Sequence, residues 1–556
     1  MTSVAVLGGG VGGLSAAHEL GKRGFDVTVY EARQDYGGKA RSIPIPGTEG
    51  PATLPLPGEH GFRFFPGFYR HLDATMAEIP HLGRTVKDNL TPATAMLMAQ
   101  AGGRNELVAP MDLPSTFGDV ERLARFVHQI AQQVKIPLFE YVLFFNRILD
   151  YLTSCDERRL AEFEAQSWWD FVEADERSPA YQKFLATGMT RTLVAARAEE
   201  MSAKTGCAIL CQLMQDMARF DGQLDRVLNG PTSEVWIDPW VAHLRNEYGV
   251  RFAGGHRVAG IDCERGAIAG VTVEDADGQR KVTADYYVAA IPVERLVTLV
   301  TDELATAEPR LARLKKLTTR SMNGAMYYLD EDVKLVRGHA IFIDSPWALT
   351  AISQQQFWKL DLQNRGDGRV EGILSVDVSD WDTPGSNGKP AKKCTEKEIL
   401  DEVWAQIVAH VDDGSLVEAN VLHRFLDPAI RFDERAPEVR NEEPLLVNTK
   451  DSWVDRPDAA TAIPNLFLAA DFVRTNTDLA TMEGANEAAR RAVNALLDAA
   501  DSSERRCQVF ELDEPALLAP FRAVDAVLWK LGRRGPKKSP IHVNEDGDLE
   551  VSNLFR

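Results

Sequence analysis

Residues 4–13, Val-Ala-Val-Leu-Gly-Gly-Gly-Val-Gly-Gly, decide the fold of this chain. The apolar run predicts a buried strand, and the glycines after it have the G-x-G-x-x-G spacing of a dinucleotide-binding turn. Residues 14–20 continue with the apolar spacing of a helix, and a second apolar strand over 27–30 ends on Glu31. Strand, glycine turn, helix, second strand and terminal acid together predict a dinucleotide-binding unit.

Each part of this unit has a physical role. Gly8 permits the tight turn, Gly10 lets the backbone approach a pyrophosphate, and Gly13 lets the helix pack closely on the strand. The helix N-terminus offers free N–H groups to the phosphates, and Glu31 can accept hydrogen bonds from a ribose. A glycine-rich turn without a ligand is the alternative, but it does not explain the acid at the end of the second strand. The predicted contacts are Gly8, Gly10, Val11, Gly12, Gly13 and Glu31.

The fingerprint alone does not separate FAD from NAD. A second glycine doublet, Gly37-Gly38, follows within residues 33–42 and carries basic residues directly after it. This stretch resembles the second cofactor motif of the flavin amine oxidase and phytoene desaturase superfamily, although alone it also fits an ordinary surface turn. In that family the doublet brings backbone against the cofactor, and the basic residues lie near its phosphates and flavin. The resemblance implies FAD contacts at Ala32, Arg33, Gly38, Lys39 and Arg41.

Two later stretches resemble the same superfamily. Residues 229–292 are similar to its middle portion, where backbone at the position of Val258 holds the adenine. Residues 465–497 are similar to its closing motif, a strand that ends on an acid and is followed by a Thr-Met-Glu-Gly-Ala helix. The resemblance implies that Asp471 binds the ribityl–phosphate part of FAD. It also implies that the helix N-terminus at Thr481 and Met482 faces the flavin.

The three motifs together favour FAD over NAD. The closing motif departs from the family pattern at Ala470 and at residues 486–488. Neither the closing motif nor the 58–71 loop contains cysteine, so the FAD is expected to be non-covalent.

The resemblance implies an α/β fold with a discontinuous Rossmann-like FAD-binding domain and an inserted α+β substrate-binding domain. The length of 556 residues exceeds what a single core normally supports. The predicted parts are 1–85, 226–295 and 436–500 for the FAD-binding domain, 86–225 and 296–435 for the substrate-binding domain, and 501–556 for a C-terminal tail with an amphipathic helix.

Residues 58–71, Gly-Glu-His-Gly-Phe-Arg-Phe-Phe-Pro-Gly-Phe-Tyr-Arg-His, form a loop dense in aromatic and basic residues. Such loops are disproportionately functional. The loop resembles the segment that lines the flavin in hydroxysqualene dehydroxylases and related desaturases, so His60 and Arg63 are candidate catalytic residues. The alternative is that the aromatic residues are core and the histidines are satisfied polar groups.

Composition and charge argue against several classes of function. The net charge of −20 argues against a nucleic-acid surface, because phosphate binding relies on clustered Lys and Arg. The six cysteines form no C-x-x-C pair, so no metal site is predicted. The fingerprint begins at residue 4, and no apolar run reaches the roughly 18 residues of a membrane span. We therefore expect a cytoplasmic protein without a signal peptide or transmembrane helix.

The substrate class is argued from the loop and from apolar helices. The 58–71 loop and a strongly apolar helix predicted over 136–152 favour an apolar, isoprenoid-like substrate that is desaturated by hydride transfer to flavin N5. Such a helix is more often buried core than the wall of a substrate tunnel. A flavin amine or amino-acid oxidase is the alternative function, since it shares all three motifs, and a non-enzymatic flavin-binding scaffold is a third. Oxygen and a quinone both remain open as the electron acceptor.

Residues 515–538 predict an amphipathic helix that contacts a membrane surface. An apolar stripe recurs at helical spacing on Leu517, Phe521, Val524, Leu528 and Leu531. An apolar face with basic edges suits an anionic headgroup layer. Packing of the same face on the enzyme or across a dimer is the alternative. The basic residues are Lys530, Arg533, Arg534, Lys537 and Lys538.

Overall fold

The structure, a computed structural model, describes residues 1–103, 107–110, 135–188, 190, 196–218, 225–411, 413–433, 435–534, 538–544 and 549–551. Among them, one parallel sheet has the strand order Arg251–Gly254, Asp26–Glu31, Ser3–Leu7, Tyr286–Ala289, Leu466–Leu468. The first strand of the chain lies in the middle, and its neighbours come from distant parts of the sequence. This arrangement confirms the predicted Rossmann-like α/β fold.

The longer α-helices are Val11–Gly21, Arg70–Met76, Leu138–Leu152, Ala203–Ala218, Asp238–Tyr248, Asp302–Ala307, Glu396–His410, Met482–Ala499 and Ala519–Lys530. Val11–Gly21 follows the glycine turn and is called the fingerprint helix. Met482–Ala499 is called the closing helix, and Ala519–Lys530 is called the tail helix. The apolar helix predicted over 136–152 is the observed Leu138–Leu152.

A second sheet is mixed and packs on the helix Glu396–His410 through a separate hydrophobic core. All of its strands fall within residues 86–225 and 296–435, the parts predicted for the substrate-binding domain. The domain boundaries themselves stay a prediction. The strand order is Val421–Leu426, Asn323–Leu329, Gly372–Val378, Thr350–Ser353, Ala340–Phe342, Ala95–Ala99 and Leu107–Pro110.

Smaller sheets connect these two. An antiparallel sheet is formed by Arg257–Glu264, Ala267–Asp275 and Gly278–Val282. The strand pairs are Ser42–Pro44 with Pro57–Glu59, Leu90–Pro92 with Arg226–Leu228, Thr318–Arg320 with Leu445–Val447, Ile430–Arg431 with Arg440–Asn441, Pro80–His81 with Arg84–Thr85, and Ile541–Val543 with Leu549–Val551. The first of these pairs leads directly into the 58–71 loop.

The closing helix is fixed to the fingerprint helix by a buried polar contact. The Asn486 side-chain amide donates to the hydroxyl groups of Ser15 and Thr75, each at 2.9 Å. The carboxylate of Glu487, also buried, accepts hydrogen bonds from the backbone N–H groups of Asn476 at 2.6 Å and Thr477 at 3.1 Å. The departure from the family motif at residues 486–488 therefore has partners within this chain.

The tail helix does not present the predicted stripe intact. Asp525 is buried, and its carboxylate accepts hydrogen bonds from the Cys155 backbone N–H at 2.9 Å and from Arg158 Nε at 3.1 Å. This ion pair turns one side of the helix toward the enzyme, so Phe521 and Leu528 are partly buried. The partial burial of these two residues agrees with the alternative that this face packs on the enzyme, and the membrane contact stays a prediction. The exposed apolar residues are Leu517, Val524, Val527 and Leu531.

Basic residues lie at the end of the tail helix. Lys530, Arg533, Arg534 and Lys538 are exposed, whereas Lys537 lies outside the described residues. Within the described ranges, no helix has both the length and the apolar character needed to cross a lipid bilayer.

Candidate cofactor and substrate site

One cavity brings the predicted motifs together at the carboxyl edge of the parallel sheet. Its volume is about 980 Å³, near the top of the range of about 300–1,000 Å³ usual for small-molecule sites. Ligands of open α/β sheets bind at this edge. The predicted residues that line the cavity are Gly8, Gly10, Val11, Gly12, Glu31, Ala32, Arg33, Gly38, Lys39, His60, Arg63, Val258, Asp471, Thr481 and Met482.

Two predicted contacts are not among the lining residues. A Cβ atom at Gly13 would overlap the Gly8 carbonyl oxygen, so Gly13 permits the close helix–strand packing expected of it. Arg41 is buried, and its Nη2 lies 3.0 Å from a carboxylate oxygen of Glu443. Its guanidinium group therefore belongs to a polar cluster beside the cavity, which the sequence did not reveal.

The fingerprint helix fits a phosphate group. Its N-cap, Gly10, makes no side-chain capping hydrogen bond, and its first turn has no acidic residue. The first amides of the helix are thus available to an anion. A Cβ atom at Gly38, whose φ is +62°, would lie 3.0 Å from the Gly10 Cα, so the two glycine motifs meet backbone to backbone.

Glu31 is placed to bind a ribose. The side chain is buried, and its two oxygens accept hydrogen bonds from the backbone N–H groups of Gly9 at 2.7 Å and Arg33 at 3.0 Å. An ionised carboxylate has about four acceptor positions, so acceptor capacity remains on the cavity side. Val258 lines the cavity at the start of a register irregularity in its strand. The adenosine contacts that the resemblance implies for these two residues stay a prediction.

The closing helix brings a second N-terminus to the cavity. Thr481 is its N-cap, and the hydroxyl group accepts a hydrogen bond from the Gly484 N–H at 3.2 Å. The acid of the first turn, Glu483, is buried and points away, accepting from the backbone N–H groups of His71 and Leu72 at 2.8 Å each. The partial positive charge of the helix end therefore remains available where Met482 meets the cavity.

His60 and Arg63 lie in a buried polar cluster on one wall. His60 Nδ1 lies 2.5 Å from Oδ2 of Asp427, and Arg63 Nη2 lies 3.6 Å from Glu59 Oε2. Burial raises the pKa of Glu59 and raises the pKa of Asp377 to about 7 despite the nearby Arg63 guanidinium. Burial also lowers the pKa of Arg63.

Sequence analysis missed three carboxyl groups of this cluster, those of Asp377, Asp427 and Glu443. Burial acts to raise the pKa values of Asp427 and Glu443, but His60 beside the first and Arg41 beside the second hold both below their ordinary values. Asp377 carried a usable signal, because it is a lone charge in the apolar strand Gly372–Val378. The catalytic roles of His60 and Arg63 stay predictions.

His60, Asp427 and Glu443 also place three ligand atoms within 4.8 Å of one another. The Glu443 carboxylate, however, has guanidinium partners already, with Arg33 Nη2 at 2.5 Å and Arg41 Nη2 at 3.0 Å. A metal ion here would compete with two fixed cations. The expectation of no metal site stays a prediction.

The remaining wall is apolar. The 58–71 loop and the segment 201–213 contribute several of its residues, and the predicted apolar helix, Leu138–Leu152, contributes none of the lining residues. That helix is instead part of a separate buried core. Among the described lining residues the one lysine is Lys39, whose Nζ lies 3.0 Å from Glu294 Oε1. The apolar wall includes Phe62, Phe64, Phe68, Tyr69, Met201, Ile209 and Leu213.

Comparisons with known proteins agree with this geometry. The chain matches the family described as flavin containing amine oxidoreductase over residues 11–497. It is 24% identical to zeta-carotene desaturase of Synechocystis sp. over 89% of this chain and 97% of that protein. It is 20% identical to 15-cis-phytoene desaturase of Synechococcus elongatus over 90% of this chain and 97% of that protein.

A solved structure is similar in fold. Cyclohexylamine oxidase from Brevibacterium oxydans superposes with a TM-score of 0.58 at 15% identity, covering 90% of this chain and 99% of that one. The family supplies a flavin cofactor, a small-molecule substrate and an electron acceptor. The chain belongs to the flavin-containing amine oxidoreductase family and is a flavin-dependent oxidoreductase.

Proposed function

We propose that this protein is an FAD-dependent desaturase or dehydrogenase that acts on an apolar, isoprenoid-like substrate. The observation that carries the proposal is that one cavity is lined both by the predicted dinucleotide-binding motifs and by aromatic and aliphatic side chains. FAD, when bound, supplies hydride acceptance at N5. The electrons then pass to oxygen or a quinone.

The residues of this chain have separate tasks in that reaction. The glycine motifs and Glu31 hold the dinucleotide, and the N-terminus of the closing helix stabilises negative charge near Met482. The wall that includes Phe62 and Leu213 orients an apolar chain and excludes water. Among the described lining residues there is no cysteine, which supports non-covalent FAD.

A flavin amine or amino-acid oxidase is the second candidate. The observation in its favour is the buried carboxyl group of Asp377, which lines the cavity, because an ionised carboxylate can pair with a substrate ammonium group. Against it, the one lysine among the described lining residues, Lys39, is already paired with Glu294.

Substrate class can be tested by anaerobic bleaching of the bound flavin. We expect polyprenes or hydroxylated squalenes to reduce the flavin, and primary amines to leave it oxidised, because the substrate wall is apolar. Stopped-flow absorbance near the flavin band measures the rate. Reduction by amines alone would contradict the proposal and favour the second candidate.

The same assay localises the substrate wall with a matched pair of variants. Leu213 lines the cavity, whereas Met214 is exposed on the same helix. Leu213→Gln is expected to slow flavin reduction by the isoprenoid about 10-fold or more, since an amide opposes burial of an apolar chain. Met214→Gln is the control and should leave the rate unchanged. Equal rates in both variants would place the substrate elsewhere.

The dinucleotide contact can be tested at Glu31. Glu31→Ala should weaken FAD binding by about 1–3 kcal/mol, the usual loss for a hydrogen bond to a charged group. Turnover at saturating FAD should change little, because Glu31 lies at the ribose end. Titration of apoprotein with FAD, followed by flavin fluorescence, measures the affinity. A variant with normal affinity and lost turnover would assign Glu31 to the reaction instead.

We also propose that the tail helix docks on an anionic lipid surface. Its outward side carries the apolar residues Leu517, Val524, Val527 and Leu531, and exposed basic residues follow at its end. In a protein with a net charge of −20, this local positive charge is complementary to anionic headgroups. Each cation near such a surface contributes on the order of 1 kcal/mol.

Co-sedimentation with vesicles of phosphatidylglycerol and phosphatidylcholine tests the docking. The double variant Val524→Asp/Val527→Asp should lose binding while retaining its flavin, because two charges now lie on the inserting face. Val417→Asp/Val454→Asp, on exposed valines outside the tail, adds the same charge and should bind like the wild type. Equal sedimentation of the two double variants would exclude the membrane role.

A further inference from the structure

A chain of hydrogen bonds joins the C-terminal segment to the end of the closing helix that meets the cavity. Residues 505–514, called the strap, are all described and contain neither helix nor strand. They lie beyond residues 11–497, the part of the chain that matches the family. The Phe510 backbone N–H donates to His71 Nε2 at 2.8 Å, and His71 Nδ1 lies 2.7 Å from Glu483 Oε1.

The strap is fixed on either side of this contact. The Asn494 side chain, on the closing helix, accepts from the Cys507 N–H at 2.6 Å and donates to the Cys507 carbonyl oxygen at 3.0 Å. The Phe510 carbonyl oxygen accepts from Asn476 Nδ2 at 3.0 Å. The Phe510 ring meets the His71 imidazole edge to face, with 5.0 Å between the ring centres. These contacts aim the Phe510 N–H at one ring nitrogen of His71.

The strap determines which nitrogen of His71 carries the proton. A backbone N–H can only donate, so Nε2 must be the unprotonated acceptor and the ring proton lies on Nδ1. The Nδ1–H group then donates to the Glu483 carboxylate. Both side chains are buried, His71 at 2% and Glu483 at 1% exposure. Protein groups rather than solvent therefore fix the form and the orientation of this histidine.

Glu483 is the acid in the first turn of the closing helix. An ionised carboxylate at that place compensates the partial positive charge of the helix end. Here three N–H groups bind the carboxylate outside the closing helix, namely the His71 ring and the backbone N–H groups of His71 and Leu72, the latter two at 2.8 Å each. Met482 lines the cavity, whereas Glu483 is not among the described lining residues. The carboxylate is thus held on the far side of the helix end from the cavity.

We propose that His71, fixed by the strap, is a positioning residue for the flavin. By binding the Glu483 carboxylate and dispersing its charge, His71 preserves the partial positive charge that the closing helix presents at Met482. Because reduction places negative charge on the flavin, this helix end favours the reduced form. His71 therefore raises the reduction potential of the bound flavin. The inference rests on the proposed place of the flavin beside Met482 and is independent of the substrate class.

The midpoint potential of the flavin in the holoenzyme, titrated against reference dyes, tests the inference. His71→Leu should lower the ratio of the affinities for reduced and oxidised flavin about 10-fold, which equals about 30 mV for a two-electron couple. Glu483→Gln should raise the potential, because it removes the charge and keeps an amide oxygen that accepts from the backbone. A general loosening of the site would shift both variants in the same direction, so opposite signs are diagnostic.

Two matched variants make the test specific. His71→Asn keeps an N–H donor close to the place of Nδ1 and should retain most of the wild-type potential. His81→Leu, on a partly exposed histidine of the hairpin Pro80–His81 with Arg84–Thr85, should match the wild type. An unchanged potential in His71→Leu, an equal fall in His71→Asn, or shifts of one sign in His71→Leu and Glu483→Gln would overturn the inference. If His71→Leu holds no flavin, an unchanged or lowered potential in Glu483→Gln would overturn it.

The part played by the strap can be read from the His71 ring in the folded holoenzyme. Nitrogen-15 spectra of histidine-labelled protein report which ring nitrogen carries the proton, and His71→Asn identifies the signal. We expect the neutral ring protonated at Nδ1. A neutral ring protonated at Nε2, or a doubly protonated ring, would overturn the role of the strap. None of these outcomes bears on the proposed substrate class, which flavin bleaching tests separately.

Discussion

The close approach of three backbone segments at the carboxyl edge of the parallel sheet is the constraint on which the rest of the molecule depends. A Cβ atom at Gly8 would lie 2.5 Å from the Ala290 carbonyl oxygen, and one at Gly12 would overlap that of Ala469. The backbone segments at the carboxyl ends of the strands Ser3–Leu7, Tyr286–Ala289 and Leu466–Leu468 therefore meet with no room for side chains. Because this meeting point opens the N-terminus of the fingerprint helix to the cavity, the packing that stabilises the sheet also leaves the first amides of that helix available to an anion.

The cavity wall that contains the 58–71 loop and Asp377 includes buried charged side chains. Asp377 lines it with a buried carboxyl group, although burial of carboxylates opposes folding. The nearby Arg63 guanidinium offsets part of that cost. Buried charged side chains contribute less to the free energy of unfolding than apolar side chains of equal volume would. Their presence in this wall is therefore better explained by binding of a ligand than by stability. Backbone forms much of the cavity at the glycine motifs, whereas side chains form most of it at the 58–71 loop.

The three glycine and helix motifs could be recognised from the sequence because their information is local. Fingerprint, doublet and closing motif each occupy a short run, and their residues meet in one cavity. The polar wall was only partly predictable, since Asp377 and Asp427 reach His60 and Arg63 through sheet pairings between distant strands. The side of the tail helix that faces outward was also not predictable from the apolar spacing alone. Its apolar spacing is correct, but the buried ion pair of Asp525 with Arg158 decides which side faces the enzyme.

Release of the cofactor tests the central claim most directly, because the claim is that this cavity holds intact FAD without a covalent bond. Purified protein would be precipitated with acid, and the flavin in supernatant and pellet identified by chromatography and mass. The account predicts FAD in the supernatant at about one equivalent per chain. Flavin that stays with the pellet, a flavin other than FAD, or a colourless protein that FAD does not reconstitute would contradict it.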